Sequence, residues 1–348
     1  MKQTLDTSLY GLPFSTDEFN GMPYRPLGQA GLRTSVIGLG TWKFGYPETG
    51  DQSRVDEVAA MAILDRAHEL GVTFWDTANR YNASSGNSER VIGRWLAENP
   101  DKRRDIVLAT KLTGLMDGRT PNHCGLSRQN IKDSVYASLE RLGIDKIDLL
   151  YFHRPDHRVS AEESILAVDD LIRQDLVRYF AVSNFSVSEL EHYQSTEHHI
   201  GPSLRAKVCA VQNSYNLLDG ETPEHQGVLR YCADHRLSMI AWSPLAEGLL
   251  TSRYLQPGKV GHGDRLYDQD NHRYRDEGVL RKLSGLDAIA RKKDVSLVQL
   301  VLAYLLTLPG MGPVIPAASS LYQLEENAAA SKLDLSADDR AQIESVFA

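Results

Sequence analysis

Four residues with useful chemistry stand at or just beyond the ends of short apolar runs. Asp76 closes T-F-W-D and Tyr81 follows it in D-T-A-N-R-Y, Lys111 closes I-V-L-A-T-K, and His153 closes I-D-L-L-Y-F-H. Each has an ordinary explanation by itself: a turn or cap aspartate, a lysine whose stem covers apolar atoms, a histidine bonded to backbone, a tyrosine that packs. Together they suit protonation of a carbonyl oxygen while something else attacks the carbon. A phenol with a pKa of about 10 is a weak donor at neutral pH, and an ammonium beside it lowers that value. Lys111 would supply the charge, Asp76 would hold the lysine, and His153 would donate to the carbonyl.

Something must bring these four to one place. From Val36 onward, eight short apolar runs alternate with amphipathic stretches: 36–40, 73–76, 106–111, 147–153, 179–183, 209–212, 238–242 and 313–316. Several are apolar at consecutive positions, as parallel strands covered on both faces are. Helical periodicity is expected over 58–70, 88–96, 128–142, 161–173, 187–193 and 286–306, with Ser127 and Ser160 as N-caps and Gly71 and Gly143 as stops. Eight βα units predict a closed (β/α)8 barrel (TIM barrel), whose active site lies at the C-terminal strand ends. An open doubly wound sheet is the competitor, and its G-x-G-x-x-G fingerprint is absent. Tyr24 to Ser35 reads as a hairpin before the barrel, Met1 to Met22 as a surface extension, and residues 24–348 as one domain. The long polar stretch Lys259 to Glu277 is a loop or a ligand-ordered lid.

Composition narrows the function. A 348-residue chain with 42% hydrophobic and 24% charged residues is ordinary for a globular protein. A net charge of -8 argues against nucleic acid as a partner. The cysteines Cys124, Cys209 and Cys232 have neither disulfide-framework nor zinc spacing. No leader pattern or membrane-length apolar run is seen, so a cytoplasmic setting is expected.

The chain resembles the aldo-keto reductases. The resemblance rests on D-T-A-N-R-Y with N-S-E-R-V-I-G, A-T-K at Lys111, D-L-L-Y-F-H-R-P-D, V-S-N-F, V-Q-N-S-Y-N, A-W-S-P-L-A-E-G and V-I-P-A-A-S-S-L-Y-Q-L-E-E-N, in the family's order. It implies reduction of an aldehyde or ketone by a nicotinamide cofactor, NADP(H) as the family default and NAD(H) as the alternative. By the same carry-over Tyr81 is the general acid, Asp76 and Lys111 tune it, and His153 orients the carbonyl. Ser183, Asn184 and Gln212 match positions that bond the carboxamide, and Trp242 the ring that stacks on the nicotinamide. Ser243, Pro244, Leu245 and Gly248 match the pyrophosphate segment, Thr41 and Trp42 the first loop. Ser319, Gln323 and Asn327 match the adenosine end, with Arg253 reaching the phosphates.

Two departures stand out. Asn82 follows the tyrosine where the family commonly has glycine, though asparagine tolerates positive φ. Ser319 and Ser320 stand where many relatives place a cation against the 2′-phosphate of NADP, leaving Arg253 or Arg265 as substitutes. Potassium-channel β subunits resemble the same family, so a cofactor-binding interaction subunit is an alternative, as is a Schiff-base lyase using Lys111. His192, His198 and His199 read as a solvated helix end rather than a metal site. Oligomeric state is left open.

Overall fold

The computed structural model describes residues 16–116, 118–256, 258–262 and 264–347, so most of the expected N-terminal extension lies outside the described residues. Eight parallel strands follow one another around a barrel: β1 Leu39–Gly40, β2 Phe74–Asp76, β3 Val107–Leu112, β4 Ile147–Phe152, β5 Val177–Ser183, β6 Val208–Asn216, β7 Ser238–Trp242 and β8 Met311–Ile315. The seam is closed by backbone bonds from Gly38 N to Val314 O (2.8 Å), Val314 N to Val36 O (3.1 Å) and Gly40 N to Pro316 O (3.1 Å). These bonds decide for the barrel against the open sheet. The consecutive apolar runs have the cause expected: all six residues of β4 are buried, between barrel interior and helical shell.

The helices are α1 Glu57–Glu69, α2 Asn87–Glu98, α3 Arg128–Leu142, α4 Ala161–Arg173, α5 Val187–Ile200, α6 Val228–His235, α7 Glu277–Lys292, α8 Leu297–Leu306, α9 Leu321–Ala329 and α10 Ala337–Ser345. Ser127 and Ser160 accept from Asn130 N and Glu163 N as N-caps, and Gly143 ends α3 in the left-handed region. The expected helix over 286–306 is two helices. Its polar interruption puts Asp294 at φ 57, and Ser296 with Gln299 opens α8 as a capping box. The three clustered histidines are exposed along the last turns of α5, a helix longer than its apolar period suggested.

The barrel interior is filled by Phe74, Ala109, Leu149, Tyr151, Ala181 and Ile240, and below them by Leu27. Leu27 sits at the tip of the hairpin formed by Met22–Pro26 and Arg33–Ser35, and it is fully buried. Gly28 beside it has φ +59, and a Cβ there would lie 2.3 Å from Cys209 O. Its N–H donates to Ser238 Oγ at the start of β7 (2.8 Å). The hairpin therefore seals the N-terminal end, and the opposite end stays open for a site.

Candidate active site

Strand order fixes the meeting of the four residues. β2 and β3 are neighbours, so Asp76 and Lys111 rise side by side, and Lys111 Nζ lies 2.5 Å from Asp76 Oδ1 with both side chains 1% exposed. The same ammonium donates to Thr77 O (2.9 Å) and to Tyr81 Oη (2.8 Å). Tyr81 Oη in turn donates to Asp76 Oδ1 at 3.3 Å, and Gln212 Nε2 donates to Asp76 Oδ2 at 2.6 Å. His153, just past β4, faces the phenol edge-on with ring centroids 6.1 Å apart.

Beyond Tyr81 the chain winds the unusual way. Asn82, Ala83 and Ser84 have φ of 57, 55 and 62. Asn82 takes a left-handed conformation that asparagine tolerates, and its Nδ2 donates to Phe44 O in the loop after β1.

The electrostatics correct one expectation. Burial first, then the Asp76 carboxylate by charge and by hydrogen bond, push the Tyr81 phenol well above its ordinary value. An ammonium beside the phenol was expected to lower it; burial outweighs that, and Asp76 Oδ1, which anchors the ammonium, also touches the phenol. Burial pushes Lys111 itself down, while Asp76 and Glu89 hold it up. Burial, then Lys111, Arg154 and Arg80 push His153 down to about 3. The resting site thus offers a protonated phenol and a neutral imidazole.

A second layer supports the first. Ser88 donates to Thr41 O (3.0 Å) and bonds the hydroxyls of Thr41 and Thr77 at 2.9 Å each. Glu89 accepts from Thr110 Oγ1 and from Arg141 Nε, each at 2.6 Å. Both residues belong to N-S-E-R, a motif the sequence showed without its role. Only the strand neighbourhood reveals that it clamps the residues flanking Asp76 and Lys111.

Above the four residues opens a cavity of about 1140 Å³. Tyr81, His153 and Asp76 line its floor, while Lys111 lies beneath. Ser183 and Asn184 line it at the end of β5, Gln212 lines it from within β6 opposite Ser183, and Trp42 and Trp242 stand on its walls. Ser243, Pro244, Leu245, Gly248 and Arg253 continue along the segment after β7, and Ser319, Gln323 and Asn327 close the far end. Thr41 is not among the lining residues: its side chain turns into the wall and donates to Asp76 O (2.9 Å). Residues 259–262 and 264–277 fold onto this rim, with Leu266 and Tyr274 buried and Tyr254 Oη donating to Asp264 Oδ1 at 2.5 Å. Lys43 and Arg54 also line the cavity and went unnoticed in the sequence. Lys43 directly follows Trp42, which was the available signal.

The polar atoms suit a nicotinamide. Asn184 Nδ2 is committed to His153 O (2.8 Å) and Ser183 Oγ (3.2 Å), which leaves its Oδ1 to accept from a carboxamide. Trp242 lines the cavity while its buried Nε1 lacks a partner among the described residues.

A sequence profile of the Aldo/keto reductase family matches residues 36–348. A probable voltage-gated potassium channel subunit beta of Oryza sativa subsp. japonica is 32% identical over 314 residues, covering 88% of this chain and 90% of that protein. The aldo-keto reductase AMT2 of Alternaria alternata is 32% identical over 355 residues, covering 93% and 91%. An L-glyceraldehyde 3-phosphate reductase of Escherichia coli O157:H7 is 30% identical over 336 residues, covering 94% and 93%. With a closed (β/α)8 barrel, the strand-end residues in place and a match over nearly its whole length, the chain belongs to the aldo/keto reductase family.

Proposed function

We propose that the protein reversibly reduces an aldehyde or ketone to an alcohol with NADPH or NADH, with Tyr81 as the general acid. One observation carries this: a phenol on a cavity floor, held 2.8 Å from a buried ammonium that is itself paired with a carboxylate at 2.5 Å. The cofactor, when bound, supplies the hydride. Ser183, Asn184 and Gln212 would hold its carboxamide and Trp242 its ring, with Trp42 near the nicotinamide on the first loop. Ser243, Pro244, Leu245, Gly248 and Arg253 would meet the diphosphate, and Ser319, Gln323 and Asn327 the adenosine end, with Thr41 supporting the first loop from behind.

The chain's own contribution is proton transfer and orientation. The raised phenol keeps its proton until negative charge develops on a carbonyl oxygen. His153, neutral, donates to that oxygen, and Lys111 steadies the phenolate left behind. Asp76 keeps Lys111 in place. In the alcohol-to-carbonyl direction the phenolate takes the proton back.

Two other readings are weaker. Lys111 lies beneath the cavity floor and not among its lining residues, out of reach of a substrate carbonyl, and a Schiff-base lyase has no need of the cofactor segments at Trp242 and 319–327. The likeness to potassium channel β subunits favours a cofactor-binding interaction role, which turnover would oppose. A cytoplasmic catalyst acting through residues 24–348 as one unit is the setting we assign.

The test is an absorbance assay of NADPH and NADH oxidation over an aldehyde and ketone panel. Tyr81→Phe should lower turnover by about 10²–10⁴ with cofactor affinity intact. Undiminished reduction by that variant would remove Tyr81 from the role.

A further inference from the structure

The turn that carries the chain away from Tyr81 is costly and has to be held. Asn82, Ala83 and Ser84 follow one another in the left-handed region, which residues other than glycine enter singly and at a cost. Bonds within the turn run from Ser84 N to Arg80 O (3.2 Å), from Ser85 N to Asn82 O (3.1 Å) and from Arg80 Nε to Ser84 Oγ (3.1 Å). These close it on itself. Among the described residues 82–86, only Asn82 hydrogen-bonds to another loop: its buried side chain donates from Nδ2 to Phe44 O.

That acceptor is itself fixed. Phe44 is fully buried, its N–H donates to Thr41 O (2.9 Å), it bridges Val55 in parallel, and Gly45 N beyond it donates to Val55 O (3.1 Å). The same loop takes the far end of the turn, where Asn87 Nδ2 donates to Asp51 Oδ2 (2.8 Å). Asp51 is buried and also accepts from Tyr46 N (2.9 Å) and Ser53 N (2.8 Å). Two asparagine amides therefore pin the turn to the loop after β1. Glycine at position 82 would accept the backbone and lose the tether, and aspartate would turn the donor into a second acceptor facing a carbonyl.

We propose that Asn82 is a positioning residue for the general acid: its side-chain amide locks the left-handed turn onto the loop after β1 and so keeps the Tyr81 phenol over Lys111. Relaxation of the turn towards ordinary backbone would redirect the chain leaving Tyr81 and carry Oη off its 2.8 Å contact with Lys111 Nζ. The loop that holds the tether also carries Trp42 into the cavity, so the acid and the wall opposite it are placed together. The role in proton transfer rests on the reductase reading; the tether does not.

Asn82→Asp and Asn82→Gly test it, because both tolerate positive φ and neither can donate to Phe44 O. Each should lower kcat for an aldehyde by about 10- to 100-fold, the cost of a misplaced reacting group. KM and NADPH affinity should stay at wild-type values, and the isotope effect from NADPH deuterated at C4 should grow as the chemical step slows. Melting curves confirm that the variants fold, and the glycine variant serves alone where the added charge of aspartate prevents it. Wild-type kcat and isotope effect in a folded variant would overturn the proposal. So would a fall in kcat matched by an equal loss of NADPH affinity, the mark of general loosening. A wild-type chain that reduces no carbonyl would sink the reductase reading and leave the tether to be judged alone. With 3-fluorotyrosine in place of Tyr81, its fluorine resonance should shift or split in Asn82→Gly, and an unmoved resonance would overturn the tether.

Discussion

Asp76 serves three partners with two oxygens: Lys111 and Tyr81 share Oδ1, and Gln212 donates to Oδ2. Removing its charge should therefore strand a buried cation. Asp76→Asn is expected to destabilise the fold by about 3–5 kcal/mol, read by chemical denaturation, and to lower turnover with it. His153 gives a pH signature. Its folded value of about 3 lies below the ordinary 6.5, so within that window the unfolded chain binds a proton the folded protein refuses. Stability should rise with pH across the window and be lost as pH falls from about 6.5 towards about 3. His153→Asn should flatten that part of a melting-temperature profile, and an unchanged slope would contradict the buried neutral imidazole. At this scale the sequence was legible as residue types at strand ends. The direction of the tyrosine shift was not, because it depends first on how completely the folded chain buries the phenol and then on its contact with Asp76.

Among elements, strands were easier to read than their limits. Consecutive apolar residues marked each run, but β1 is only Leu39–Gly40 and β6 extends to Asn216, since pairing partners rather than composition set the ends. Helix α9 shows how a motif becomes geometry. Ser320 caps it by accepting from Gln323 N, and Ser319 donates from both N and Oγ to Gln323 Oε1 at 2.9 and 3.0 Å. Both serines are exposed and neither brings charge to the adenosine end. Ser319→Arg should tighten NADPH relative to NADH by about tenfold, the worth of one charge-assisted hydrogen bond, in paired binding titrations. An unchanged ratio would place the 2′-phosphate elsewhere. The turn at Asn82 was foreseen as a tolerable replacement for glycine; that Ala83 and Ser84 share its left-handed conformation was not, because neither residue type signals it.

For the whole molecule, alternation of eight apolar runs with helices pointed to the barrel before any contact was known. The role of the hairpin was hidden, since Gly28 and Ser238 lie 210 positions apart in sequence and meet only once the barrel has closed. Leu27→Ala should cost about 2–5 kcal/mol in denaturant unfolding, as a cavity opens where no neighbour can collapse into it. The described residues contain no helix long and apolar enough to cross a membrane. The chain carries a net charge of -8, yet Lys43, Arg54, Arg253, Lys259 and Arg265 line the cavity, so its mouth is more favourable to an anion than the overall charge suggests.

The leucine plug has a further consequence. The barrel interior above the plug is itself packed with side chains, so hairpin and core together leave the strand ends a single face to solvent, and any ligand comes and goes on that side.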